Sequence, residues 1–401
     1  MIADSYRRYR SRPVVVVIHR VAGLFIAGFL LVAGITGSFI AFDSDIDAWL
    51  NPHVFRTQSA GATLAPSALA AVVERYDGQL TVSSIPLRTS DGHAVVLGVR
   101  GKIDPATGRP HQLDINQLFV DPVNGDVLGW RNTRSCCDRL TIVPFIYRFH
   151  YNLGIPGKWG EWLMGVVALV WVLDCFFGAW LTLPKTRPIH RKWGTAFRLK
   201  LSASSYRVIF DLHRAGGLWF WGLLLLLAIS SVYFNLYREV FRPAVELLSP
   251  LTPSVFEVRR GDPRSRQQTV LSFDEAVAIG GGAAPAHGIT DRPSDILFSA
   301  LNMYVVRFRP PGTKRGAGFG APSIFVDAVD GSILGVEKPG QGTAGDIILA
   351  AQLPIHSGEI IGLPGRILVS VSGLVVAILS ISGVIIWWRK RAARMAHRLR
   401  T

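Results

Sequence analysis

The sequence is poor in charge and in cysteine for its length. Only 18% of its 401 residues are charged, against about 25% in soluble domains, while 49% are hydrophobic. Three cysteines are too few for a disulfide-stabilised fold, and the role of the adjacent pair Cys136 and Cys137 stays open. No glycine-rich dinucleotide motif stands between a strand and a helix. These absences argue against a soluble, disulfide-rich or dinucleotide-binding protein.

The net charge has one sign and an uneven distribution. It is formally +15, and segments 1–13, 184–205 and 389–401 account for all of it, with 16 basic residues and one acidic residue between them. Each basic segment flanks a long apolar run. This is the positive-inside pattern of a membrane protein and not the footprint of a nucleic-acid-binding surface. We therefore expect a lipid bilayer, and no nucleic acid, as a partner.

Four apolar runs are long enough to cross a bilayer as helices. Each exceeds the ~20 helical residues that span about 30 Å of hydrocarbon. The predicted transmembrane helices are 14–42, 162–183, 208–237 and 367–388. The first run is too long for a signal peptide and lacks a convincing cleavage site, so we interpret it as an uncleaved anchor.

The basic segments predict the topology. Arg7, Arg8, Arg10 and Arg12 hold the N-terminal tail in the cytoplasm, and the other basic segments share that side. The predicted cytoplasmic segments are 1–13, 184–207 and 389–401, and the predicted extracytoplasmic segments are 43–161 and 238–366. Each of the two long segments contains strand-like runs and is large enough for a small core. In a bacterial inner membrane, both would lie in the periplasm.

The chain repeats its organisation of helix, domain and helix. Residues 18–24 read IHRVAGL and residues 212–218 read LHRAGGL, each at the cytoplasmic start of a span. Residues 119–129 read FVDPVNGDVLG and residues 325–335 read FVDAVDGSILG. Each of these latter motifs is typical of two short strands joined by an Asn-Gly or Asp-Gly turn.

Equal spacings support this repeat. Asp121 precedes His150 by 29 residues, and Asp327 precedes His356 by the same number. A Pro-Gly pair and then an apolar run follow each of these histidines. The repeats have the same orientation, so an axis along the membrane normal should relate them.

Four of the ten histidines occupy repeat-equivalent positions. His19 and His213 lie near the cytoplasmic starts of their spans, and His150 and His356 precede spans at the outer face. The axis therefore predicts two facing pairs, one near each face. Zinc normally needs three or four protein ligands, whereas haem iron needs only two axial ligands. The pairs thus predict haem, and the lack of a Cys-x-x-Cys-His motif makes it b-type, with two per chain expected and one as the alternative.

Four charged residues lie inside predicted spans, namely Arg20, Asp174, Asp211 and Arg214. Arg20 and Arg214 are costly in apolar surroundings unless compensated, and haem propionates would compensate them. Snorkelling of both side chains to lipid headgroups is the alternative. Asp174 lies in the middle of the second span, where a proton relay and an interhelical hydrogen bond are equally compatible with the sequence.

The HRxxGL span starts, the D-x-x-[ND]-G hairpins and the histidine before each second span resemble the PepSY-associated transmembrane-helix family over essentially the whole chain. Within that family, the layout is similar to that of inner-membrane ferric-siderophore reductases of the FoxB type. The resemblance implies an integral membrane α-helical protein with four transmembrane helices and two α+β PepSY-like periplasmic domains. In the second segment, SFDEAVAI predicts the opening helix and MYVVRF a strand, while the first segment is recognisable only by its hairpin.

The resemblance also implies a function. It implies haem on His19, His150, His213 and His356, and electron delivery to a ferric siderophore in the periplasm. A separate cytoplasmic reductase or quinol would be the electron donor. Two alternatives stay open: a non-enzymatic PepSY module that binds or regulates a periplasmic partner, and a siderophore or metal permease. A permease needs a continuous polar path, and the spans offer only Asp174 and the histidines.

The charge distribution predicts where a C-terminal fusion partner lies. Alkaline phosphatase fused after Thr401 is expected to be inactive, because it stays in the cytoplasm. A fluorescent protein fused at the same residue is expected to fluoresce, which controls for expression. An active phosphatase at this position would contradict the topology.

Overall fold

The computed structural model of the chain describes residues 2–186, 188–310 and 318–398. Positions 1, 187, 311–317 and 399–401, which belong to the predicted tails, basic loop and second extracytoplasmic segment, lie outside the described residues. The α-helices are α1 (Ile2–Ile40), α2 (Asp43–Leu50), α3 (Pro52–Phe55), α4 (Pro66–Tyr76), α5 (Ile142–Asn152), α6 (Trp159–Thr182), α7 (Ile189–Trp193), α8 (Ser205–Trp219), α9 (Trp221–Asn235), α10 (Arg242–Glu246), α11 (Val255–Arg260), α12 (Phe273–Ala283), α13 (Ala344–Ser357) and α14 (Leu363–Arg398). The strands are β1 (Leu80–Pro86), β2 (Val95–Gly101), β3 (Gln117–Val120), β4 (Val127–Arg131), β5 (Pro293–Ser299), β6 (Met303–Phe308), β7 (Ser323–Asp327) and β8 (Ile333–Glu337).

The chain divides into two compact units, each assembled from separate stretches. The helical unit comprises Met1–Phe42, Ile146–Leu247 and Ile355–Thr401. The sheet unit comprises Asp43–Phe145 and Leu248–Pro354. All four repeat-equivalent histidines therefore belong to the helical unit.

Among the described residues of the helical unit, three helices are long and apolar enough to cross a membrane. They are α1 from Ser11 onward, α6 and α14. Such runs form helices in lipid because every backbone N–H and C=O group must find its partner within the segment. The first two predicted spans agree to within a few residues with the apolar part of α1 (Ser11–Ile40) and with α6. Helix α1 itself begins earlier, at Ile2, and α14 continues beyond its apolar run through the basic tail to Arg398.

The third predicted span, 208–237, contains a bend and is built from two helices. α8 and α9 meet at Phe220 with a bend of 70°, and they count as a fourth span only when taken together. Phe220 has φ −101° and ψ 2°, which interrupts the helix. Gly216, Gly217 and Gly222 flank this position, and glycine weakens a helix and favours kinks. The start of α9 is held by Trp221, whose indole donates to the Cys175 carbonyl of α6 at 2.9 Å.

Small residues let α1 and α14 pack with their backbones in contact. A Cβ added at Gly34 would collide with the Gly373 carbonyl, and a Cβ at Gly373 would collide with the Gly34 carbonyl. One turn along, the Ser38 hydroxyl donates to the Ser370 carbonyl at 2.7 Å, and the Ser370 hydroxyl returns a bond of 3.0 Å to the Ser38 carbonyl. Such close contact of small residues is typical of membrane helix interfaces. It fixes α1, which carries His19, against α14.

The sheet unit is built on one antiparallel sheet with strand order β4-β3-β2-β1-β5-β6-β7-β8. In each half a helix precedes four strands, with α4 before β1–β4 and α12 before β5–β8. The halves join where β1 pairs with β5, and residues of both halves share one hydrophobic core. The two domains expected from the sequence are therefore halves of one body. Pairing β1 with β5 satisfies the backbone groups that two separate sheets would leave at their edges.

Both hairpins predicted from the repeated motif are confirmed. β3 pairs with β4 and β7 pairs with β8. In each turn an aspartate, Asp121 or Asp327, accepts from the amide two residues further on at 2.9 Å. Gly125 and Gly331 then adopt left-handed φ values of 81° and 76°, which glycine tolerates without strain.

The helix and strand predicted in the second segment are α12 and β6. Ser272 and Glu275 form a capping box at the start of α12, and the bonds from the Ser272 backbone and hydroxyl hold the pKa of Glu275 below its ordinary value. The equivalent helix of the first half, α4, follows Ala65 and has no side-chain cap. Its start is marked instead by Pro66 at the first helical position. In the same half, the side chains of Cys136 and Cys137 lie next to each other.

A buried ion pair ties α11 to the second half of the sheet. Arg259 is 2% exposed, and its two terminal nitrogens donate to the two carboxylate oxygens of Asp327 at 2.9 and 3.0 Å. Asp262 also accepts from Arg259, at 2.8 Å. At the equivalent position of the first half, Asp121 accepts from Thr57, and no arginine of the described residues pairs with it.

This difference predicts unequal effects of the same substitution. Asp327→Asn is expected to destabilise its half of the sheet by about 3–5 kcal/mol, because it removes the main neutralising charge of a buried guanidinium. Asp121→Asn, the matched change, is expected to cost about 1 kcal/mol, because the donors to Asp121 are uncharged and the asparagine oxygen can still accept from them. Hydrogen–deuterium exchange of β7 and β3 peptides in the detergent-solubilised full chain measures both effects. Equal losses of exchange protection in β7 and β3 would contradict the inference that Asp327, unlike Asp121, neutralises a buried arginine.

Candidate functional site: two pairs of facing histidines

The four repeat-equivalent histidines form two pairs within the helical unit. His19 on α1 faces His213 on α8, with ring centroids 6.2 Å apart and ring planes inclined by 55°. His150 near the end of α5 faces His356 near the end of α13, with centroids 6.2 Å apart and planes inclined by 61°. These are the two pairs that the repeat predicts.

Helix α1 contacts both pairs. It carries His19 toward one end of its apolar part, while Thr36 and Gly37, near the other end, contact His150. The 17 residues from His19 to Thr36 correspond to about 26 Å of helix at 1.5 Å per residue. The pairs therefore lie toward opposite ends of the membrane-crossing helices.

Each histidine is held through Nδ1 by a hydrogen bond to a neighbouring helix. The acceptors are the Asp174 carboxylate for His19 (2.8 Å), the Thr36 hydroxyl for His150 (3.0 Å), the Leu379 carbonyl and Ser382 hydroxyl for His213 (3.1 and 3.0 Å), and the Ser230 hydroxyl for His356 (2.8 Å). Within the described part of the chain, no hydrogen bond reaches Nε2 of any of these rings.

The acceptors at the first pair fix the ring tautomer. A carboxylate and a backbone carbonyl have no hydrogen to donate, so Nδ1 of His19 and Nδ1 of His213 carry the hydrogen in these bonds. In a neutral imidazole the lone pair then lies on Nε2. Each ring of this pair therefore offers Nε2 to a ligand.

The hydroxyl partners of the second pair lead to the same tautomer. Thr36 and Ser230 each donate to the carbonyl four residues earlier in their helix, at 2.7 and 2.8 Å. A hydroxyl has only one hydrogen, so its oxygen accepts from Nδ1 of His150 or His356. In all four rings, the lone pair on Nε2 is thus free to bind a metal. Histidines that bind a metal through one ring nitrogen commonly donate a hydrogen bond from the other, which fixes the orientation of the ring.

Three of the rings lie against helical glycines. The distances from an added Cβ to ring atom Cε1 are 3.0 Å at Gly37 (His150), 3.2 Å at Gly383 (His213) and 3.5 Å at Gly178 (His19). The absence of a side chain at these positions lets the imidazoles pack directly on a helix backbone.

The geometry suits a metal that takes two ligands from the protein. With imidazole–metal distances of about 2.0–2.1 Å on each side, plus half a ring, two rings on one metal atom have centroids about 6 Å apart. Both pairs show this separation. No cluster of three or more His, Cys, Asp or Glu side chains suited to a metal ion occurs among the described residues. The pairs therefore fit a metal that brings its remaining ligands with it, as haem iron does.

The arginines that follow His19 and His213 differ in their partners. Arg214 forms an ion pair with the buried carboxylate of Asp211 at 2.8 Å and donates to three backbone carbonyls within 195–198, so it anchors that loop. This engagement was not expected from the sequence. Arg20 forms no hydrogen bond or ion pair with another described residue. Of the two candidates, Arg20 is the one open to an anionic group.

Asp174 accepts the hydrogen bond of His19 from the middle of α6. Of the two roles compatible with the sequence, the interhelical hydrogen bond is therefore present. The Asp174 side chain is 11% exposed.

Thr36 and Ser230 are candidate site residues that the sequence analysis missed. Each follows its HRxxGL histidine, His19 or His213, by 17 residues. A hydroxyl at the same spacing inside two apolar runs is a signal in the repeat. Serine and threonine are common in membrane helices, however, so the signal gains meaning only beside the facing histidine.

The glycine contacts predict a difference between two matched substitutions. Gly37→Ala is expected to displace the His150 ring, because the new methyl would lie 3.0 Å from Cε1. Gly178→Ala is expected to be tolerated, because its methyl lies at an ordinary contact distance of 3.5 Å from His19. Titration of the detergent-solubilised variants with haemin, whose absorbance reports imidazole ligation, is expected to show at least tenfold weaker binding at one site for Gly37→Ala alone. Equal binding by both variants would contradict the role of Gly37.

The comparisons with known proteins place the chain at the level of a family. A family described as PepSY-associated TM region matches residues 16–390, a range that includes all four paired histidines. No curated protein matches the sequence. Together with the apolar helices, this match makes the chain a multi-pass membrane protein. It belongs to the PepSY-associated transmembrane family.

Proposed function

We propose that the chain is a b-type haem oxidoreductase of the bacterial inner membrane, which passes electrons across the membrane to reduce ferric siderophores in the periplasm. The observation that supports this best is the pair of facing imidazoles toward each end of the membrane helices. In each pair, both Nε2 atoms are free of partners among the described residues, and the rings stand at the separation of two axial ligands.

The two pairs would each hold one haem, so the chain would carry two. When bound, haem supplies one-electron chemistry at an iron that both imidazoles ligate. The four histidines hold it, and the Nδ1 bonds keep their rings in the ligating orientation. Phe234 packs against one of these rings, with its ring centroid 5.2 Å from that of His356.

Arg20 would bind the carboxylates of the haem at the His19–His213 pair. Its guanidinium follows His19 directly and has no other partner among the described residues. A guanidinium and a carboxylate form strong charge-assisted hydrogen bonds, and the pairing removes the cost of an arginine in apolar surroundings. Arg214 is already paired with Asp211 and makes at most a weaker contribution.

The basic segments set the orientation that we propose. Both termini lie in the cytoplasm, the bent pair α8–α9 serves as the third of four spans, and the sheet unit lies in the periplasm. Its two halves, each a helix followed by four strands, correspond to the two PepSY-like domains of the family resemblance. The His150–His356 pair then lies on the periplasmic side.

The acceptor follows from the chemistry of chelated iron. One electron converts Fe(III) to Fe(II), and the hard oxygen donors of hydroxamate or catecholate siderophores hold Fe(II) less tightly, so iron is released. The electron comes from a quinol or a separate cytoplasmic reductase. The sequence itself contains no dinucleotide-binding motif between a strand and a helix.

Haem content tests the ligands. Wild-type protein is expected to carry two haems per chain with a six-coordinate, low-spin spectrum. Substitution of any one of the four paired histidines by alanine is expected to leave one haem, because one axial ligand is lost. His190→Ala, at an exposed position in the basic loop, is the control and is expected to retain both. Wild-type protein without haem would favour the non-enzymatic alternative.

Iron reduction tests the direction of electron flow. In proteoliposomes with pre-reduced protein, Fe(II) trapping by ferrozine is expected for wild type and for His190→Ala when a ferric siderophore is added. His356→Ala is expected to abolish trapping while its remaining haem still accepts electrons from an added donor. His213→Ala is expected to block electron transfer from the donor while one haem stays bound. Wild-type protein that stays reduced after siderophore addition would refute the reductase function.

A further inference from the structure

We propose that Asp174 makes the two haem sites unequal, so that the haem at the His19–His213 pair has the lower midpoint potential and electrons move downhill toward the His150–His356 pair. This inference rests on the proposed function and deepens it. It assigns to Asp174, a buried acid that is not itself a ligand, an effect on the haem that acts through His19.

The contact between Asp174 and His19 is direct and shielded. The carboxylate oxygen Oδ1 lies 2.8 Å from Nδ1 of His19, and the Asp174 side chain is 11% exposed. Gly23, one turn after His19, faces the carboxylate, with its added Cβ position 3.9 Å from Oδ2. No lysine or arginine of the described residues forms an ion pair with Asp174. Its charge is therefore directed at the imidazole.

The other three rings have neutral acceptors. His150 and His356 bond to hydroxyl groups, and His213 bonds to a carbonyl and a hydroxyl. The hydrogen-bond network thus distinguishes His19 from its three equivalents.

The Asp174 carboxylate has no counterpart at the equivalent position of the other repeat. Gly178 and Gly383, which contact the rings of the first pair, each follow an Nδ1 acceptor by four residues. That acceptor is Asp174 on α6 and Leu379 on α14. Where one repeat uses a backbone carbonyl, the other uses a charged side chain. Since a neutral carbonyl orients the equivalent ring of His213, orientation alone does not require a charge beside His19.

A carboxylate acceptor changes the donor strength of the ring. The Nδ1–H bond to a negative group raises the basicity of the imidazole at Nε2. A stronger donor favours Fe(III) over Fe(II), and hydrogen bonding to the ligand and local charge are among the means by which a protein sets a haem potential. Burial in an apolar span strengthens the effect, since the charge is poorly screened. The His19–His213 site is therefore harder to reduce than the other.

Redox titration of the purified full-length protein, followed by haem absorbance, tests this. Asp174→Asn keeps an oxygen acceptor and the side-chain volume but removes the charge. We expect the lower midpoint potential to rise by at least a tenfold change in the reduction equilibrium, or ~59 mV for one electron, and the upper one to stay. Asp174→Glu, which restores a carboxylate, is expected to return the lower potential toward the wild-type value.

Glu161→Gln is the matched control. It removes a carboxylate from the first turn of the same helix, α6, and Glu161 makes no bond to the paired histidines. Both potentials are expected to stay in this variant. A shift equal to that of Asp174→Asn would overturn the proposal, because the effect would then be a general one of charge.

A second measurement does not depend on the folding of any Asp174 variant. His213→Ala removes a ligand of the first site, and the component that disappears from the titration must be the one with the lower potential. Disappearance of the higher component overturns the inference, and so do unchanged potentials in haem-containing Asp174→Asn. A wild-type protein without haem would instead refute the proposed function, so the two failures are distinguishable.

Discussion

The packing of the helical unit depends on one constraint: the N–H group of each imidazole among the helices needs a hydrogen-bond acceptor. Each Nδ1 bond crosses from one helix to another: α1 to α6, α8 to α14, α5 to α1 and α13 to α9. In an apolar medium an N–H group without an acceptor costs free energy, so these bonds hold the helices in register as well as orienting the rings. The same bonds leave Nε2 unengaged. Helix packing and the availability of four potential ligand atoms thus have one origin.

Much of this arrangement could be predicted, because the sequence repeats itself. The equal spacing of His150 and His356 from their hairpin aspartates, and the shared motif around His19 and His213, define both pairs without knowledge of any contact. Spans and hairpins follow from local patterns, namely apolar length and a turn glycine. These signals lie within a few residues of the feature that they predict.

The rest could not be predicted, because it depends on residues far apart in sequence. The acceptor of each ring lies on another helix, so Asp174 alone could not reveal His19 as its partner. The sequence also gives no sign that Arg214 donates to carbonyls of the loop at 195–198, which engages it before any anionic ligand binds. The glycines around Phe220 are compatible with a straight helix or a bent one. The halves of the sheet join through pairing of β1 with β5, and neither strand contains a sequence signal that identifies its partner.

The pairing of β1 with β5 has a consequence for biosynthesis. Ser84 lies opposite Leu297, and α6, α8 and α9 are made between the two strands. Until β5 emerges, the first four strands present β1 as an open edge, the kind of surface that pairs wrongly with other chains. Such a distant contact also slows folding, since a long loop must close first. The nascent protein is therefore most exposed to aggregation while its middle helices are being inserted, and a chain truncated there keeps that edge permanently.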